Sequence, residues 1–139
     1  MDTIQVDIVS AEGEIFSGPA SMVFLPASEG EIGVAPRHAP LLTLLKPGEV
    51  RVRAPDGEDH FFYVGGGALE VQPKKVTVLA DTAARAKDLD EAAAAAARQR
   101  AESVLSGQID KLTMAQAQAE LAQAIAQLKM IQRLRKVKG

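Results

Sequence analysis

Without cysteine, this chain can form neither disulfide bonds nor a thiolate zinc site, a composition that fits a reducing compartment. No apolar stretch approaches the roughly 20 residues that a membrane-spanning helix needs, so we expect membrane association only through a partner. The N-terminal sequence MDTIQVDIVS has no basic region and no long apolar segment, so we expect no signal peptide. The hydrophobic fraction of 47% predicts a folded protein.

Catalytic and metal-binding motifs are also missing. The two histidines, His38 and His60, lie far apart in the chain without cysteine, which argues against a metal site. Residues 65–67 are three glycines, but no Lys-Ser/Thr follows and no helix is predicted after them, so we predict a turn or bulge between strands and not a phosphate loop. Glu29 and Glu31 predict an exposed acidic loop more than a general acid and base. The sequence therefore predicts a protein that is not an enzyme.

Proline and glycine divide the chain near Arg85. All seven prolines precede this point, and from Asp88 onward glycine occurs only at Gly107 and Gly139. Between the breaks, apolar and polar residues alternate as in half-buried strands. With the apolar run 61–64, these strands predict an antiparallel β-sandwich, or flattened barrel, over residues 1–85. The alternating residues are Ile4, Val6 and Ile8; Val50 and Val52; and Val76, Val78 and Ala80.

The remainder, residues 86–139, predicts an antiparallel hairpin of two helices, so the fold class is α+β. Asp88 is predicted to cap the first helix, with Glu91 three residues on. Gly107 is predicted to end the first helix, since glycine adopts the left-handed conformation without steric cost. The sequence from Thr113 to Gln116 resembles a capping box and predicts the start of the second helix.

The two predicted helices differ in their apolar content. Residues 92–97 of the first helix are all alanine, which favours a helix but buries little area. We therefore expect a hairpin that docks weakly and can detach and dock again. The second helix carries an apolar stripe that predicts a packed face. The stripe consists of Met114, Ala117, Leu121, Ala124, Leu128 and Ile131, widened by Ile125.

The last eleven residues, 129–139, form a basic tail without any acidic residue. The whole chain has 16 basic and 18 acidic residues, so residues 1–128 sum to about −7 and the basic tail to about +5. This separation of charge makes the basic tail a ligand for an acidic surface. Its five cations are Lys129, Arg133, Arg135, Lys136 and Lys138.

The residues of the basic tail allow four interpretations. The sequence does not distinguish between two of them. In one, the tail is a solvated helix end whose cations interact with the helix dipole. In the other, it is a helix that docks in an acidic cleft of a protein partner. A nucleic-acid contact is disfavoured because no aromatic residue interleaves the charges and the whole chain is acidic. A helix on a membrane surface gains only modest support from Ile131, Leu134 and Val137.

Residues 28–42 read SEGEIGVAPRHAPLL, which resembles the signature of the ε subunits of F-type ATP synthases. Further matching segments continue the resemblance along essentially the whole chain in one register, and together they are highly specific. These segments are 9–12, 16–18, 46–48, 66–71, 76–83, 88–92 and 117–128.

The resemblance implies a β-sandwich and helical hairpin without chemistry of their own, in a rotor protein on the cytoplasmic face of the bacterial inner membrane. The sandwich would clamp the γ subunit to the ring of c subunits. The loop with Glu29 and Glu31 would face the c ring, where paired acids suit a basic or amide-rich surface. His38 would lie against γ on a loop stiffened by Pro36 and Pro40. The other interpretation of His38 is a turn residue bonded to backbone.

The resemblance also implies that the hairpin regulates the motor. It would fold down on the sandwich or extend beside γ, where its second helix would meet an acidic segment of a β subunit and stop ATP hydrolysis. Arg133, Arg135, Lys136 and Lys138 would supply the positive side of that contact.

Some members of the family bind ATP through an [IL]-D-x-x-R-A motif, and this chain departs from it. Ala93 stands at the arginine position, while Asp90 and Arg100 remain matches. Losing the guanidinium removes a charge-assisted contact of about 1.5–3 kcal/mol, so we expect ATP to bind weakly or not at all. We expect no other cofactor. Two alternatives to the rotor protein are a free-standing nucleotide-sensing module and a β-sandwich adaptor for an acidic protein.

Overall fold

The computed structural model describes residues 2–106 and 111–138, except for the side chains at positions 92, 104, 106, 111–113 and 136–138. The chain divides into two compact units, Met1–Ala86 and Lys87–Gly139. The first unit is made of strands and the second is made of helices, as the sequence predicts.

Eight strands of the first unit form one hydrogen-bonded sheet. Their order is β2-β1-β7-β6-β5-β3-β4, and β8 pairs with β6. The sequence predicts antiparallel pairing, which holds for each of these pairs except β1 and β7, which run parallel. The strands are β1 (Ile4–Ser10), β2 (Gly13–Ala20), β3 (Met22–Ala27), β4 (Gly30–Val34), β5 (Leu41–Arg53), β6 (Asp59–Gln72), β7 (Lys75–Ala80) and β8 (Ala83–Arg85).

The core of this unit confirms the alternation read from the sequence. Ile4 on β1 and Val34 on β4 lie near opposite ends of the strand order, yet both are fully buried in one hydrophobic cluster. The sheet therefore folds over on itself, as a sandwich requires. All the alternating residues predicted to point inward are buried, and Phe62 and Val64 of the apolar run join them in the same cluster.

The prediction for residues 65–67 is wrong. These three glycines lie inside β6, and they keep an unbroken register with β5 in which Pro47 opposes Gly65 and Leu45 opposes Gly67. Gly66 and Gly67 have φ values of 99° and 139°, which a strand tolerates at glycine. The glycines therefore let one long strand run through a conformation that other residues avoid, and the strand does not end there.

The second unit contains α1 (Glu91–Ser106) and α2 (Lys111–Lys138), preceded by a 3₁₀ turn (Ala86–Asp88). Two predicted helix starts are wrong. Asp88 lies in the 3₁₀ turn, and Asp90 caps α1 instead by accepting a hydrogen bond from the Ala93 N–H at 3.1 Å. The second helix begins at Lys111, before Thr113, and lysine is a good helix former. The predicted end at Gly107 lies outside the described residues.

The predicted apolar stripe of α2 is only partly buried. Its two alanines, Ala117 and Ala124, are buried, whereas Met114 is exposed, so the buried part of the stripe does not reach the start of the helix. Met130 lies outside the stripe and is buried. The larger aliphatic members of the stripe are all half-buried, namely Leu121, Ile125, Leu128 and Ile131. The fully buried positions of the stripe are therefore its smallest residues.

Candidate protein-binding surfaces

Glu29 and Glu31 lie at the tip of the hairpin formed by β3 and β4. Ala27 pairs with Gly30 across the turn, so only Ser28 and Glu29 connect the two strands. Gly30 has a φ of 134°, which explains why glycine closes this turn. Both glutamates are exposed, as the sequence predicts for an acidic loop.

The acidic tip is fixed to the sheet and borders a surface depression. The Ser28 N–H donates a hydrogen bond to the Leu44 carbonyl oxygen of β5 at 2.9 Å, which ties the turn to the neighbouring strand. The depression beside it has a volume of about 340 Å³. It is lined by Ala27, Glu29, Gly30, Glu31, Ile32, Leu41 and Thr43. The structure therefore combines two carboxylates with an apolar hollow on a supported hairpin.

An exposed apolar surface on β5 was not predicted from the sequence. Leu42 is 75% exposed and Leu44 is 66% exposed, although both belong to the sheet. Leu44 pairs with Ala68 of β6, which pairs in turn with the exposed Leu79 of β7. We call Leu42, Leu44, Ala68 and Leu79 the leucine row. The signal in the sequence was the alternation along β5, because Leu42 and Leu44 are out of phase with the buried Leu45.

His38 lies in the loop that joins β4 to β5. The preceding residue, Arg37, has a φ of 65°, and its N–H donates a hydrogen bond to the Pro73 carbonyl oxygen at 2.8 Å. Its guanidinium also forms an ion pair with Asp2 at 2.8 Å. His38 is half-buried, and its Nδ1 lies 2.7 Å from the Ala39 carbonyl oxygen, to which it donates as Nδ1–H. The loop is thus anchored at Arg37, and the histidine bonds to backbone.

A polar network on the outside of β1 links three strands. Asp7 accepts hydrogen bonds from Gln5 Nε2 at 3.0 Å and Ser17 Oγ at 2.8 Å, and it forms an ion pair with Lys75 at 3.0 Å. The hydrogen bond from Gln5 is the main cause that lowers the pKa of Asp7, and Ser17 and Lys75 act in the same direction against the effect of burial. This network fastens β1 to its two neighbours.

The two residues that match the ATP-binding motif, Asp90 and Arg100, lie apart on one helix. The Asp90 carboxylate is occupied in capping α1, where it accepts from the Ala93 N–H. Arg100 is exposed on the same helix, and ten residues of helix separate the two by about 15 Å along the axis. The position of Ala93 is exposed and offers no cation.

The basic tail forms the end of α2. Lys129 and Arg133 are exposed, while Arg135 forms an ion pair with Glu91 at the start of α1. This contact shows that the two helices run antiparallel, as predicted, because it joins the first residue of one helix to the end of the other. The side chains of Lys136 and Lys138 lie outside the described residues.

Within the part of the chain that the structure describes, no group of three or more His, Asp or Glu side chains could hold a metal ion. Among the described residues, none of the helices combines the length and the apolar character needed to cross a membrane.

Two family models match consecutive parts of this chain and define its class. Residues 3–86 match the β-sandwich domain of the ATP synthase delta/epsilon chain, and residues 87–132 match its long α-helix domain. The chain therefore belongs to the ATP synthase delta/epsilon chain family, and within it to the epsilon chains of the F-type enzyme.

Individual relatives agree with this family, and a solved structure has a similar fold. The chain is 66% identical over 137 residues to the ATP synthase epsilon chain of Nitrosococcus oceani, covering 99% of this chain and 98% of the relative. It is 60% identical over 138 residues to that of Halorhodospira halophila, covering 98% and 97%. The fold is similar to a chain of the mitochondrial ATP synthase of Euglena gracilis, with a TM-score of 0.71 at 20% identity, covering 99% of this chain and 82% of the other.

Proposed function

We propose that this chain is the non-catalytic rotor subunit that couples the γ subunit to the c ring on the cytoplasmic face of the bacterial inner membrane. In this proposal, residues 1–85 are the rotor-binding domain and residues 86–139 are the regulatory domain. The observation that carries it is the acidic tip with its apolar depression, built on a sheet whose core is fully buried. A rigid support is what torque transmission requires, since a compliant one would store the rotation as strain.

Two surfaces of the sandwich have partners in this proposal. Glu29 and Glu31 face the polar loops of the c ring, with the depression receiving an apolar side chain of the ring. The anchored loop with His38 faces γ, where a fixed backbone lowers the entropy lost on binding. The chain reaches the membrane only through these partners.

The hairpin supplies the regulation in this proposal. Four of the five cations of the basic tail bind an acidic segment of a β subunit when the hairpin extends, and this contact stops ATP hydrolysis. These four are Arg133, Arg135, Lys136 and Lys138. Among the described side chains of α1 and α2, Met130 and four alanines are buried, and the alanine methyl groups bury little area. A hairpin whose buried positions are mostly alanine can exchange between two positions of similar free energy. The four alanines are Ala94, Ala101, Ala117 and Ala124.

A nucleotide-sensing module is the weaker alternative. The Asp90 carboxylate already accepts a hydrogen bond as the helix cap, and Ala93 replaces the arginine of the motif. Neither observation favours an ATP site.

The test replaces the five cations of the basic tail by glutamine in the assembled ATP synthase. Glutamine keeps the helix propensity of lysine and arginine, so the change removes charge while α2 is retained. We expect ATP hydrolysis to rise severalfold, while γ and c subunits still co-purify with the chain. The matched control is Arg98→Gln on α1, which removes one exposed cation outside the basic tail and should leave hydrolysis unchanged. Unchanged hydrolysis in the tail variant contradicts the regulatory role, and loss of γ and c subunits from the wild-type preparation contradicts the rotor role.

A further inference from the structure

Arg135 lies on a different face of α2 from the other described cations of the basic tail. At 100° per residue, eighteen residues complete five turns, so Arg135 lies directly in line with the buried Ala117. Ala124, also buried, lies within about 20° of that line. Lys129 and Arg133 lie about 120° and 160° away from it. Arg135 therefore continues the face of α2 that carries the buried alanines.

The partner of Arg135 closes the open end of the hairpin. Glu91 is the first residue of α1, one turn before the buried Ala94, and its carboxylate forms the ion pair with Arg135 across 44 residues of sequence. The Arg135 side chain is 66% exposed and that of Glu91 is 40% exposed, so both can be reached by a competing charge. The ion pair must break before the ends of the two helices can separate.

We propose that Glu91 competes with the acidic partner of the basic tail for Arg135, and so sets how readily the hairpin opens. The inference rests on the proposed regulatory function and adds Glu91 as the residue that opposes binding of the basic tail to its acidic partner. In the closed hairpin Arg135 is held by Glu91, on the face of α2 that carries the buried alanines. The availability of Arg135 to another acidic group therefore depends on the state of the hairpin.

The alanine contacts between the helices make such a pair consequential. Alanine buries less apolar area than any larger aliphatic residue, so the closed state gains little from each contact. An exposed ion pair changes an equilibrium by only about 1.4- to 5-fold, and this effect is small compared with the stabilisation that a large hydrophobic core provides. Against a weakly packed hairpin, the same factor shifts the population of the open state measurably.

The first experiment measures closure of the hairpin directly in the full chain. Because the sequence has no cysteine, Ala93→Cys and Gln132→Cys provide two exposed labelling positions near the open end. Energy transfer between the two labels should show that Glu91→Gln raises the ratio of open to closed hairpin by about 1.4- to 5-fold. The control is Glu102→Gln, which breaks an exposed ion pair with Arg98 inside α1. An equal effect of the two variants, or no effect of Glu91→Gln, overturns the proposal.

The second experiment measures ATP hydrolysis of the assembled synthase. Glu91→Gln should strengthen inhibition by a similar factor, and Arg135→Gln should remove this effect, so that the double variant inhibits no more than Arg135→Gln alone. If neutralising the basic tail abolishes inhibition but Glu91→Gln changes nothing, the role of Glu91 fails while the proposed function stands. If the tail variant leaves hydrolysis unchanged, the proposed regulation fails, and the labelling experiment still decides whether Glu91 holds the hairpin closed.

Discussion

Replacing Gly67 by alanine tests the account of β6 as one continuous strand. Gly67 lies between β5 and β7, where it pairs with Leu45 on one side and Ala80 on the other. A Cβ atom at this position would overlap the Leu79 carbonyl oxygen and would lie 2.9 Å from the Ala80 Cα. Both are backbone atoms, so no side-chain rotation relieves the overlap.

Two costs add in this variant. A residue other than glycine at a φ of 139° is strained by about 1–3 kcal/mol. Forcing a methyl group against the backbone of β7 adds about 1–3 kcal/mol, as overpacking does in a close-packed interior. The expected loss is therefore about 2–6 kcal/mol, a large part of the roughly 5–15 kcal/mol that stabilises a typical domain.

The matched control is Gly30→Ala. Gly30 has nearly the same φ, 134°, but no atom lies within 4 Å of the position that the alanine Cβ would take. The control therefore carries the strain without the overlap, and urea unfolding of both full-length variants, followed by circular dichroism, isolates the second cost. Equal losses of unfolding free energy in the two variants would refute the close approach of β6 and β7 at Gly67.

Two further predictions concern charged groups of the sandwich. Glu31→Lys should reduce co-purification of the c ring severalfold, whereas Glu58→Lys, the same charge change at another exposed acid, should not; equal losses would show a general charge effect. Asp7→Asn should lower the unfolding free energy by about 1–2 kcal/mol near neutral pH, since it removes the charge that the hydrogen bonds from Gln5 and Ser17 and the ion pair with Lys75 stabilise. Because the pKa of Asp7 is lowered on folding, its contribution is complete above the usual aspartate pKa and is lost as the pH falls through the lowered value. Urea titrations at several pH values should therefore show the difference between wild type and variant disappear in acid.

The sequence predicts the sandwich well where alternation decides the structure. Val50, Val52, Val76 and Val78 are buried because a strand with one face on the core must place every second residue inward. It fails at residues 65–67, because glycine is equally compatible with a turn and with a strained position inside a strand. Only the pairing of β6 with strands on both sides distinguishes the two, and that pairing is long-range information.

The helix starts also show that a residue type can fit more than one local conformation. Asp88 and Asp90 are both acceptable cap residues, and the sequence does not say which one leaves the helical conformation first. The structure assigns the cap to Asp90 through its hydrogen bond to the Ala93 N–H. This assignment matters for function, because it engages a carboxylate that the family motif associates with ATP.

The candidate surfaces also differ in whether the sequence alone reveals them. The exposure of Glu29 and Glu31 follows from their place at a tight turn that Gly30 closes, which the sequence displays. The sequence does not reveal the leucine row, because its members come from β5, β6 and β7 and meet only through strand register. The partner of Arg135 is equally hidden, since Glu91 lies 44 residues away and meets it only when the helices pair.

The two units differ in the kind of residue that they bury, and this difference bears on what each can do. Leu25, Phe62 and Leu69 are fully buried in the sandwich, and each large side chain contributes about 1.5–3 kcal/mol by leaving water. The buried positions of α1 are Ala94 and Ala101, among the described side chains, and each contributes far less. A single exposed ion pair is negligible beside the first kind of packing and comparable to one contact of the second kind. Under the proposed regulation, charge can therefore control the hairpin without disturbing the sandwich.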